Sequence, residues 1–429
     1  MYLRLFLDSF ERKLGGAGNG GLFRSFTVTG LIIVLLIVGV TAAYIEHGRG
    51  NIQKIKRHLR TPHPVDTTAD RPGGLDPVVL SRTQTPNATQ PEFLSATFLP
   101  GRGMNVLQIK VFVPGLGEIN LLDDPTLDAA SHDMSGVDDD SEGQASLIDG
   151  AAFLVPWAGR LSGITSLDGK SSSVTWKGQV LNLPANSIET PVPSAYGGLL
   201  LDVAANTVQT DPTPDGGSSK AVFNSVDVDD RWPSNPETTI SVRLTGQFLE
   251  MTVDVKNTGD SILPVGIGWA PRFLLPGGDR SNATLHLPAT MHSQLRDISS
   301  GMPNGTLQPV SGSPQDFTLR AGLPLGSRSL DDTFVHLRPA SGPDAAIELR
   351  DPLARFGLRI LPLSPSIKAI HVFSPAGSSF VSISPQMNYD DPWGRQWSQD
   401  EDTGIAQLTP GQTVQWKIRL ELFTPAATK

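Results

Sequence analysis

The stretch whose residue types most invite a ligand is Gly266-Ile267-Gly268-Trp269-Ala270-Pro271-Arg272-Phe273. It follows an apolar alternation that ends in Asn257-Thr258-Gly259-Asp260. Two strands joined by a tight connection, leading into a Gly-rich segment with one large aromatic, have the layout of a ligand rim. A second candidate is acidic. Asp138, Asp140, Glu142 and Asp149, with Gly143 where a sharp turn is needed, follow the ligand spacing of a calcium loop. The twelfth position is Asp149 rather than a bidentate Glu, and flanking helices are not evident, so a solvated acidic loop is the competing expectation. His336 and His371 lie on apparent strands and read as satisfied histidines, while Asp390, Asp391 and Trp393 read either as a rim or as a turn.

The elements that must position such residues are strands. Leu107, Ile109, Val111 and Val113 alternate, turn at Pro114-Gly115-Leu116-Gly117 and resume at Ile119 and Leu121. Ile240, Val242 and Leu244 face Leu249, Met251, Val253 and Val255 across Thr245-Gly246-Gln247. Val414, Trp416, Ile418, Leu420 and Leu422 form the cleanest run, with Gln415, Lys417, Arg419 and Glu421 on the other face. No sustained helical period follows the linker. The expected class is all-β, one large antiparallel β-sandwich over residues 91–425.

Composition narrows the function. The 43 glycines, 35 prolines and only 18% charged residues suit many short strands and turns. A formal net charge of -9 argues against a nucleic-acid partner, which requires a basic surface. With no cysteine there is no disulfide, thiolate zinc site or cysteine nucleophile.

Residues 25–45 carry no charge and are continuously apolar from Leu31 to Val40, the length of a bilayer-crossing helix. Residues 1–24 form a basic segment before it; residues 46–90 form a juxtamembrane stub and a Pro/Thr-rich linker. An uncleaved single-pass anchor in the cytoplasmic membrane is the expectation, with a signal peptide cut near Thr41-Ala42-Ala43 as its rival. Arg and Lys flank the span on both sides, so charge does not orient it. Signal-anchor behaviour places the domain on the extracytoplasmic side.

Several motifs together resemble the aldose 1-epimerase (galactose mutarotase-like) family. Gly103-Met104-Asn105-Val106 is similar to its opening strand. Val155-Pro156-Trp157-Ala158-Gly159-Arg160-Leu161 is similar to its Pro-x-x-Asn-Arg-Ile segment, with Gly159 for Asn. Leu183-Pro184-Ala185-Asn186 followed by Tyr196-Gly197-Gly198 resembles its Leu-Pro-x-Asn to His-Gly stretch, with Tyr196 for His. Leu330-Asp331-Asp332-Thr333-Phe334 resembles its Asp-x-x-Phe element. The segment from Phe380 to Asn388 resembles its Glu-Pro-x-Thr/Asn segment, with Ser384 for Glu. The rim resembles its Gly-x-Gly-x-His-Pro-Tyr-Phe sequence, with Ala270 for His.

The resemblance implies a supersandwich fold and isomerase chemistry on sugars, without a cofactor. Exchanging anomers needs a base at the anomeric hydroxyl and an acid at the ring oxygen. The family's groups are replaced at Tyr196, Ala270 and Ser384, while Arg160, Asn186, Tyr196, Trp269, Asp331 and Gln386 stand where carbohydrate would be held. Trp157 and Trp269 read equally as sandwich core, and Arg160 with Asp331 as a structural ion pair. Three functions follow as expectations: a membrane-anchored carbohydrate binder with little or no mutarotase activity, an active epimerase using His336, Asp391 or a water on Ser384, and an envelope scaffold that docks a protein partner.

Overall fold

The computed structural model describes residues 70–123, 125–134, 140, 142–188, 190–224, 231–338 and 345–426. Two sheets carry nearly all of it. The larger has thirteen strands, and its centre runs, in spatial order, Phe356–Pro362, Thr413–Phe423, Phe248–Asn257, Pro236–Leu244, Asp215–Phe223, Val78–Arg82, Glu92–Leu99 and Asn105–Val113. The smaller has eight, ordered Pro303–Pro309, Ala289–Leu295, Leu330–Leu337, Ala369–Ser374, Phe380–Gln386, Gly268–Ala270 and Ala152–Leu154, with Arg272–Leu274 also pairing Phe380–Gln386. All pairings between these strands are antiparallel.

Period-two patterning decides which face each strand buries. Ile240 pairs Val253, which pairs Trp416, and all three point to the core, while Gln415 and Lys417 turn outward. The hairpin between Pro236–Leu244 and Phe248–Asn257 closes on Thr245, whose Oγ1 accepts from the N–H groups of Gln247 and Phe248 at 3.2 Å each. The two sheets meet in a single apolar cluster. At its middle the Trp416 indole stands edge-on to Phe153 of the smaller sheet, centroids 6.3 Å apart, and donates from Nε1 to the Pro385 carbonyl at 3.1 Å.

Three expectations change, and a fourth lies outside the described residues. Val78–Arg82, inside the stretch read as linker, is a strand between Glu92–Leu99 and Asp215–Phe223, with Leu80 fully buried. Its two inward residues are too few to register among the surrounding Pro and Thr. The acidic insertion carries two short helices, Leu127–Asp133, capped by Thr126 Oγ1 on the Ala129 N–H, and Gln144–Ile148. Leu263–Val265 does not hairpin back onto Phe248–Asn257; it pairs Ala406–Leu408. No helix of the described residues is long and apolar enough to cross a membrane, and the expected anchor at 25–45 lies outside the described residues.

Because Trp416 ties the sheets by both packing and a hydrogen bond, Trp416→Ala is expected to cost about 3–5 kcal/mol in urea unfolding. Gln415→Ala, one residue away on the solvent face, is expected to stay within about 0.5 kcal/mol.

Candidate functional site

The site lies on the face of the smaller sheet that points away from the larger one. Ile370, Val372, Val381 and Ile383 enter the core, so the alternate residues His371, Ser382 and Ser384 turn outward. Thr333 pairs His371 and His371 pairs Ser384, which sets a polar row across three strands; Asp331, two residues before Thr333, shares that face.

Arg160 reaches this face from outside the sheet. Its short strand Arg160–Leu161 pairs Ala195–Tyr196 and is tied down by Asp390, whose Oδ1 accepts from the Arg160 N–H at 2.8 Å and whose Oδ2 accepts from Thr333 Oγ1 at 2.8 Å. Gly159 makes the approach possible. Its φ is +68°, and a Cβ there would lie 2.3 Å from Asp390 Oδ1, a conformation and a clearance that suit glycine. The Arg160 guanidinium is 1% exposed and places Nη2 3.3 Å from both Asp331 oxygens and Nη1 3.9 Å from Asp390. His371 Nε2 donates to Asp331 Oδ1 at 2.9 Å. The Tyr196 ring lies 5.8 Å from the guanidinium carbon.

The Asp331 side chain is 21% exposed and forms the accessible end of the cluster. Burial favours its neutral form, but the His371 hydrogen bond and the Arg160 charge outweigh burial and bring its pKa down to about 2. It is therefore an anion at neutral pH. Asp391 behaves in the opposite way: burial, aided by the Asp390 charge, pushes its carboxyl up. Its oxygens accept from the Ser162 N–H at 3.0 Å and from Gln396 Nε2 at 2.9 Å, so it braces the loop rather than lining a rim.

Other expected site residues have different roles. Trp269 is fully buried; its Nε1 donates to the Ala151 carbonyl at 2.9 Å and its ring meets Phe273. Trp157 is likewise core, stacked on Trp232 at 4.9 Å. Both are packing residues, not stacking platforms for a sugar. Ser384 Oγ donates to the Trp269 carbonyl at 2.6 Å. Ala270, next to the rim tryptophan, packs with Leu154, Ala158 and Tyr196. Asn186 accepts from the Tyr196 N–H at 3.0 Å and so shapes the loop. Gln386 is buried beside Gly268, and its Nε2 has no partner among the described residues. His336, on the same strand as Asp331, bonds Glu401 at 2.9 Å. The histidine at the site is His371, and the signal that singles it out is its position between Ile370 and Val372, the two inward residues of its strand.

Two of the calcium-loop candidates are engaged by arginines. Asp140 pairs with Arg102 and accepts from the Ala145 N–H at 2.9 Å, and Glu142 pairs with Arg231 at 2.8 Å. Burial, reinforced by the Asp133 charge, raises the Asp149 carboxyl. Asp138 lies outside the described residues. Among the described residues no three His, Asp or Glu groups are placed to hold a metal.

A two-sheet supersandwich with polar groups on the outer face of its smaller sheet matches solved structures. A galactose mutarotase-like protein from Clostridium acetobutylicum superposes with a TM-score of 0.62 over 78% of this chain and 93% of its own, at 16% identity. The chain has the galactose mutarotase-like fold. An aldose epimerase homologue from C. elegans gives a TM-score of 0.58 at 14% identity, covering 81% of this chain and 99% of that one. Galactose 1-epimerase from Lactobacillus acidophilus gives 0.53 at 14% identity, covering 81% and 98%. No protein-family model matches the chain, and no curated protein sequence does either. At these identities the mutarotase-like likeness is one of fold.

The Asp331 shift sets a pH dependence. A carboxyl with a folded pKa below its unfolded value stabilises the fold above the unfolded value and loses that contribution as pH falls through the folded one. About 2 kcal/mol is expected to disappear between about pH 4 and pH 2. Urea unfolding across that range checks it, with Asp331→Asn expected to remove this component of the slope.

Proposed function

We propose that the protein binds carbohydrate at the Arg160–Asp331–His371 cluster without interconverting anomers, and that the apolar segment 25–45 tethers it to a membrane. The single observation that carries this reading is the Asp331 carboxylate, fixed between a guanidinium and an imidazole with one edge toward solvent. A pre-oriented anion of this kind accepts hydrogen bonds from vicinal hydroxyls, and its partners are already in place before a sugar arrives. Absence of turnover follows from chemistry. Ala270 carries no proton, and Ser384 spends its own on a backbone carbonyl.

Calorimetry of the full-length protein in detergent against a panel of aldoses tests the binding. Millimolar or tighter affinity is expected, weakened about tenfold or more by Asp331→Ala. Polarimetry on freshly dissolved α-glucose and α-galactose is expected to match the buffer blank. Silence across the panel removes the binding claim, and a rate above the blank removes the claim of no turnover.

A protein-docking scaffold is the second reading, and one observation favours it. Three loops close over Arg160. Thr165 Oγ1 donates to the Pro193 carbonyl at 2.9 Å, the Val192 N–H donates to the Ser299 carbonyl at 3.3 Å, and a Cβ on Gly301 would lie 2.8 Å from the Arg160 guanidinium carbon. These loops expose Ile164, Leu167, Val192 and Ile298 to solvent. Sugar binding that survives Leu167→Asp and Ile298→Asp favours the first reading over this one.

A further inference from the structure

A groove of about 330 Å³ lies on the solvent face of the larger sheet, far in the topology from the Arg160 cluster. Register explains its shape. Gln209, Lys220, Ser241 and Thr252 form one row across four strands, and Asp211, Ser218, Arg243 and Glu250 form the next. Each row combines small hydroxyl residues with long side chains. Ser218, Ser241 and Thr252 make a low floor, and Lys220, Arg243 and Gln209 stand around it. The outer wall is the strand Thr207–Thr213, exposed along its whole length.

Charge is uneven here. The rows continue to Lys417 and Arg419, each 2.8 Å from Glu250. Burial alone would raise the Glu250 carboxyl, but hydrogen bonds from Lys417 and Arg419 hold it below its usual range, so that anion is already committed. Lys220 and Arg243 are exposed and have no ion-pair partner among the described residues; Arg243 lies over the Phe248 ring at 5.6 Å. The lining itself holds Lys220 and Arg243 beside Asp211 and Glu250, and with Glu250 engaged by Lys417 and Arg419, Asp211 is the one lining carboxylate left to face the two cations. The hydroxyls of Ser218, Ser241 and Thr252 make no side-chain hydrogen bond among the described residues.

We propose that this groove binds an acidic saccharide, with a uronate carboxylate on Lys220 and Arg243 and the ring hydroxyls on Ser218, Ser241, Thr252 and Gln209. The volume is within the range of small-molecule sites, about 300–1,000 Å³. Neighbouring strands stand about 4.8 Å apart, so the floor offers separated polar contacts along a ring rather than one focused point. A phosphate is the poorer occupant. It favours converging backbone N–H groups, and those of Asp215–Phe223 and Pro236–Leu244 are spent on sheet pairing.

The test is calorimetry of the full-length protein against tri-galacturonate, uncharged galactotriose and inorganic phosphate. Tri-galacturonate is expected to bind at least about tenfold more tightly than either alternative, and to weaken as salt rises from 50 to 500 mM. Lys220→Gln and Arg243→Gln are each expected to weaken it about three- to tenfold, with the thermal midpoint unchanged because both side chains are exposed. Absence of binding at millimolar concentration overturns the proposal. So does unchanged affinity in the double variant, or phosphate binding as tightly as tri-galacturonate.

Discussion

Burial of Ile370, Val372, Val381 and Ile383 against the larger sheet is the constraint on which the site depends. A strand has only two faces. Once those four residues are inside, His371, Ser382 and Ser384 must take the opposite face, and a one-residue slip would turn a histidine and two serines into the apolar core and four large apolar groups onto the polar face. The same core that holds the sheets together therefore sets the register of the polar row. Trp416 strengthens the clamp from the larger sheet by meeting Phe153 and the Pro385 carbonyl at once.

Register alone does not bring Arg160 to the sheet. That task belongs to Asp390, which links the Arg160 backbone to Thr333 across two separate parts of the fold. A buried carboxylate is costly unless its oxygens are bonded, and here both are. The cost is offset by contacts that also orient the guanidinium toward Asp331. Gly159 is the geometric condition, since any side chain there would collide with Asp390.

The two outer faces of the sandwich use their polar residues differently. On the smaller sheet they are covered by loops and engage one another, leaving Asp331 as the accessible member. On the larger sheet they form flat rows in solvent, where Glu250 gathers Lys417 and Arg419 while Lys220 and Arg243 remain without ion-pair partners among the described residues. Coulomb attraction is strong in the first setting and screened in the second, so the covered cluster moves a pKa to about 2 while the open one keeps exchangeable cations.

Local pattern was enough for much of the framework. The alternations at 105–113, 236–244, 248–257 and 413–423 are strands with the expected inward residues, because period-two burial is written into neighbouring positions. The order of the short motifs anticipated the mutarotase-like fold, and Arg160 with Asp331 forms the ion pair that was one of the two readings of those residues. Tertiary structure decided the rest. Trp157 and Trp269 became core, Asp140 and Glu142 were taken by Arg102 and Arg231, and Val78–Arg82 joined the sheet. Arg160 and Asp390 are separated by 230 positions, and His371 and Asp331 by 40. Sequence by itself determined which side of a strand each residue takes; only the folded chain determined which distant partner it meets there, because that depends on packing between segments that carry no local mark of one another.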